Sequence, residues 1–127
     1  MKKGLVLILT VALLLTACSG AKATASAKAV SVGKQTVEAL DAYLDGSMSG
    51  KDANEKLSDL GQQLDYAYDY SRKRMSDQER ADWTIRMDIT LVNHEVIMDN
   101  YKGDPERFDK IVEYRNEIAE LVGVSKR

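Results

Sequence analysis

His94 is the sole histidine of the chain, so acid–base or metal chemistry near neutral pH would centre on it. It stands one helical turn from Thr90 and Met98, and no His-x3-His, Glu-x-x-His or cysteine pair accompanies it. A metal ion needs several convergent ligands, and this pattern offers no such set. The 20 acidic residues are scattered over polar stretches rather than paired as glycosidic acid–base work requires. Gly46 and Gly50 flank a short linker and build no phosphate-cradling loop. The sequence therefore predicts no catalytic constellation, no metal site and no cofactor, and His94 is expected to be structural.

Arg115 lies among Ile111, Ile118 and Val122. Its stem can pack while the head reaches water, or the head can pair with an acid such as Asp41. Snorkelling is the expected arrangement, because charged groups are rarely fully buried. Tyr66 and Tyr70, four residues apart, suit a recognition surface as well as a widened core face. Ser71-Arg72-Lys73-Arg74 is basic, but Asp69, Asp77, Glu79 and Asp82 surround it. With a net charge of −2 there is no broad positive field, and no nucleic-acid partner is expected.

Cys18 is the one cysteine, which rules out an intramolecular disulfide. What precedes it gives it another use. Met1-Lys2-Lys3 is a positive start, and the apolar run Leu5–Leu15 is shorter than the roughly 20 residues a helix needs to span a bilayer. That layout fits a secretory signal peptide. Leu15-Thr16-Ala17-Cys18 then resembles the lipobox of bacterial lipoproteins at all four positions. The resemblance implies removal of residues 1–17, diacylglyceryl transfer to the Cys18 sulfur, and a lipid-anchored chain on the extracytoplasmic face of a bacterial membrane. Two acyl chains give stable anchoring where one would be marginal. Ser19 is compatible with outer-membrane sorting in a two-membrane bacterium; in a one-membrane bacterium the anchor lies in the cell membrane. Residues 18–24 are small and polar and read as the lipidated cysteine with its tether.

Residues 25–127 are expected to form one all-α domain. The composition is 44% hydrophobic with a single proline, which argues against disorder, and no sustained period-two run signals a strand. A first helix begins near residues 25–30 and stops at Asp45-Gly46. Ser49 and Asp52 open a second, which Lys73 and Arg74 suit as its final turn. Ser76 and Glu79 open a third, stopped at Lys102-Gly103. Asp104-Pro105-Glu106 starts a fourth, stopped at Gly123. Short connections make neighbours antiparallel, predicting an up-and-down bundle of four helices; three helices with the first loosely attached is the alternative. The region resembles the small, uncharacterised all-helical lipoproteins of bacterial envelopes, and no functional residue carries over from them.

The third helix is unusual in having two apolar faces. At 3.6 residues per turn, Trp83, Met87, Thr90, Leu91, His94, Ile97, Met98 and Tyr101 share a broad face. Ile85, Ile89, Val92 and Val96 line the opposite side, with Arg86, Asp88, Asn93, Glu95 and Asp99 between. The broader face, with the larger residues, is expected to meet the core. The Ile85, Ile89, Val92 and Val96 stripe, with Tyr66 and Tyr70, is then the candidate partner surface, for an envelope protein or a second copy of the chain. The expected function is binding at the envelope. A purely structural lipoprotein is the alternative, and an envelope enzyme the weakest one.

Overall fold

The computed structural model describes residues 25–67 and 74–127, with the side chains of all of these except 100–102. Four helices form an up-and-down bundle: α1 Ala27–Leu44, α2 Gly50–Gln62, α3 Asp77–Lys102 and α4 Pro105–Val122. Their main contacts run α1–α2, α2–α3, α3–α4 and α4–α1, while across the diagonals α1 and α3 touch little and α2 and α4 touch least. No strand occurs among the described residues.

Local chemistry sets the helix starts. The hydroxyls of Ser26, Ser49 and Ser76 accept the backbone N–H groups of Ala29, Asp52 and Glu79 at 3.2, 3.1 and 3.1 Å. The Asp104 carboxylate accepts from Glu106 N–H at 3.0 Å, with Pro105 in the first turn. Each satisfies one of the donors that a helix start leaves without a partner. Gly46, Gly103 and Gly123 sit at φ 82°, 57° and 74°, the left-handed conformation that lets the chain leave a helix.

α2 is shorter than its sequence suggests. Regular winding stops at Gln62, and Asp65–Ala67 form a tighter 3₁₀ turn that still drives Leu64 and Ala67 fully inside. Lys73 lies outside the described residues, and Arg74 precedes α3 in extended chain.

α1 is an integral wall of the bundle, which removes the loosely attached arrangement. Ala29, Val32, Val37 and Leu40 are buried against α2 and α4. Gly33 brings α1 and α4 together so closely that a Cβ there would lie 2.5 Å from Val122 Cγ1. After Gly123 the chain doubles back along α4. Arg127 N–H donates to Asn116 Oδ1 at 2.8 Å, and its guanidinium reaches Asp45 at 2.5 Å and Asp41 at 3.3 Å.

The two faces of α3 are exchanged relative to expectation. Ile85, Ile89, Val92 and Val96 are at most 1% exposed and fill the centre with Leu57, Leu60, Leu64, Ile111 and Ile118. The polar margins explain the choice. Asn93 donates to Ser58 of α2 at 3.1 Å, Arg107 of α4 reaches Glu95 at 3.1 Å, and Tyr43 of α1 donates to Asp99. These three flank the aliphatic stripe, so facing it inward gives Asn93, Glu95 and Asp99 partners on neighbouring helices. Compact branched side chains also suit the narrow space between helices whose axes lie about 8–10 Å apart. Phe108 of α4 is 41% exposed.

Candidate interaction surface

The outer face of α3 remains. Trp83, Met87 and Met98 are half-buried, Leu91 is 42% exposed, and Thr90 and His94 are exposed. They follow one another along a helix of 26 residues, so the apolar ridge crosses much of one side of the bundle. No acid lies on this outer arc. Glu95 at its α4 margin is held by Arg107, and Arg86 at its α2 margin pairs with Asp65 at 2.9 Å. Arg80 is exposed at its start. Asp77 and Glu79 sit one turn earlier, where they complement the helix N-terminus.

The residues expected to meet a partner fall into three groups. Ile85, Ile89, Val92 and Val96 belong to the core and cannot touch one while the bundle is folded. Tyr66 is 37% exposed, yet its hydroxyl donates to Asp82 Oδ2 at 3.1 Å and lies 3.4 Å from Ser26 Oγ. Lys28 Nζ stands 5.1 Å from the centre of its ring. Asp82 Oδ1 also accepts from Ser26 N–H at 2.8 Å. Tyr66 and Asp82 thus strap the start of α1 to the start of α3. Cys18 and Tyr70 lie outside the described residues.

Two clusters of buried charge flank α4. Arg115 is only 6% exposed and grips Asp41 with two bonds of 2.9 Å, while its Nη1 donates to Ser125 O at 2.6 Å. The expectation of a snorkelling head is corrected: the returning tail covers it, and an acid partner with a backbone acceptor replaces water. Hydrogen bonds from Arg115 hold the Asp41 carboxyl below the usual carboxylate range, against the opposing effect of its burial.

On the other side, Asp88 of α3 is 6% exposed, and its Oδ2 finds no hydrogen-bond partner. Burial, and then the charge of Glu117 across the seam, push it up to about 7. Tyr114 is raised as well, by burial and by Glu95, Asp88, Glu117 and Glu113 around it. Sequence reasoning missed this acid pair. The signal was Asp88 standing one turn from both Ile85 and Val92, within reach of the buried arc.

Nothing else among the described residues gathers into a reactive site. Among the described residues, no group of three or more His, Cys, Asp or Glu is placed to hold a metal ion. A hollow of about 360 Å³ at the α3–α4 corner is lined by Asp99, Gly103, Asp104, Pro105, Phe108 and Asp109, with no nucleophile and base in register. Among the described residues, no helix is long and apolar enough to cross a membrane. No known protein family, curated protein or solved structure matches the chain.

Proposed function

We propose that the chain is a lipid-anchored, extracytoplasmic module of the bacterial envelope that acts by binding. The lipid on Cys18 holds the membrane, and the outer face of α3 makes the working contact. The observation that carries this reading is the ridge Trp83–Met87–Leu91–Met98, turned away from a core that the opposite stripe already fills. A contiguous apolar surface on a bundle with a complete interior is a contact surface by default. The lipobox supplies the address. Nothing in the described residues favours catalysis over contact.

Two measurements test the parts separately. Cys18→Ser should leave an unprocessed precursor that no longer enters the detergent phase on partitioning; wild-type migration and partitioning of the variant would remove the anchor. A diazirine side chain at Leu91 should give crosslinked adducts in intact cells, while the same group at exposed Lys56 of α2 should not. Equal yields at the two positions, or none at either, would remove the binding reading.

A further inference from the structure

We infer that the outer face of α3 lies on the lipid surface to which Cys18 tethers the chain; the inference rests on the lipobox reading and identifies what the proposed contact face meets. Three observations point to lipid rather than to another copy of the chain. The first is where residue 26 meets the bundle. Ser26 N–H is bonded to Asp82 Oδ1 at 2.8 Å, so the tether joins the bundle one residue before Trp83, at the start of the ridge. Even fully extended, the chain from Cys18 to Ser26 reaches roughly 25–30 Å. The ridge therefore starts within that distance of the bilayer whenever the acyl chains are inserted.

The second is charge. The outer arc from Arg80 to Met98 carries no acid, and the acids at its edges are turned to partners: Glu95 to Arg107, Asp99 to Tyr43, Asp65 to Arg86. Arg80 is exposed beside Trp83. Beyond the acidic first turn of Asp77 and Glu79, an apolar strip that opens with Arg80 and has no exposed carboxylate along its length suits the boundary between acyl chains and anionic headgroups. The chain as a whole carries a net charge of −2, and none of that excess lies on this arc.

The third is mass action. A short tether holds its two ends at an effective concentration in the millimolar range. The bilayer is present at that concentration for every anchored molecule, and a second copy is not. Weak apolar contacts from Trp83, Met87 and Leu91 then suffice to lay the helix down. A tryptophan beside aliphatic side chains is the composition found where helices rest at a membrane–water boundary.

Trp83 is the only tryptophan and reports its own surroundings. The lipidated chain is reconstituted into phosphatidylethanolamine–phosphatidylglycerol vesicles, with and without bromine on the acyl chains, and flotation is recorded. Expected results are flotation with the vesicles, quenching of Trp83 by brominated lipid, and protection from aqueous iodide. Leu91→Asp and Leu91→Gln, both at an exposed position, should float, retain helical circular dichroism and lose the brominated-lipid quenching. Failure to float overturns the anchor and the inference with it. Flotation with Trp83 open to iodide and untouched by bromine overturns the inference alone. Protection from iodide that rises with the protein-to-lipid ratio, without bromine quenching, overturns it in favour of a second copy.

Discussion

The two seams of α4 bury charge in opposite ways. Toward α1, Arg115 and Asp41 form a two-bond ion pair sealed by the returning tail. Toward α3, Asp88 faces another acid, Glu117, and its Oδ2 finds no hydrogen-bond partner. The first seam keeps its charges because each has a partner; in the second, burial and the neighbouring acid push Asp88 up to about 7. Burial alone therefore does not say whether a charged side chain stabilises this bundle. The partner decides.

The largest effect should come from breaking the matched seam. Arg115→Leu leaves the Asp41 carboxylate without its donors and the tail without its anchor. Loss of one partner of a buried pair costs about 3–5 kcal/mol, and about 2–4 kcal/mol is expected here because Asp41 is 32% exposed and water can partly replace the arginine. Urea unfolding followed by circular dichroism measures it. A change below about 1 kcal/mol would place this pair with ordinary surface bridges.

The same seam holds a close helix approach at Gly33, and Gly33→Ala probes it. A Cβ at 2.5 Å from Val122 Cγ1 must push a β-branched, buried side chain, at a cost of about 1–3 kcal/mol. Gly61→Ala on the α2–α3 seam is the control. Its Cβ would meet the end of Arg86 at 3.3 Å and Ile89 at 3.4 Å, so the gain in helix propensity, about 1 kcal/mol, should largely offset the crowding. Equal losses for the two variants would mean that the α1–α4 approach is not specially tight.

The mismatched seam should respond with the opposite sign. Asp88 is raised above its unfolded value, so its contribution is complete below about pH 4 and is lost as pH rises through about 7. Asp41 is lowered, so its contribution is present above about pH 4 and is lost as pH falls further. Stability should therefore be greatest near pH 4, fall as pH rises toward about 7, and level off above that. Asp88→Asn should flatten that fall and stabilise the protein at pH 8 by on the order of 1–2 kcal/mol. A wild-type stability that is flat from pH 5 to 8 would mean that Asp88 is ionised throughout.

Much of the fold was legible because its signals are local. The Ser49, Ser76 and Asp104 caps need only the next turn, and each starts its helix where the pattern places it. The end of α2 was not legible, since Leu64 and Ala67 keep their apolar spacing while the winding tightens beneath them. On α3 both apolar faces were visible, but residue size was a poor guide to which lies inside. The margins decide that, through Ser58, Arg107 and Tyr43, which stand on three other helices. Periodicity along one helix carries no record of what faces it. The Arg115–Asp41 pair spans 74 positions and was visible only as one of two options.

The corner at Gly103-Asp104-Pro105 has a consequence in time. It joins the two helices that form the acid seam with almost no intervening chain, so their meeting costs little loop entropy. The seam between α1 and α4 must instead close most of the described chain upon itself. Contacts of short sequence separation form fastest, and helical bundles rich in them fold in microseconds to milliseconds. The α3–α4 hairpin is therefore expected to assemble early and the Arg115–Asp41 clasp late. Mutations at Gly33 or Arg115 should then mainly accelerate unfolding, while those around Asp104 should slow folding.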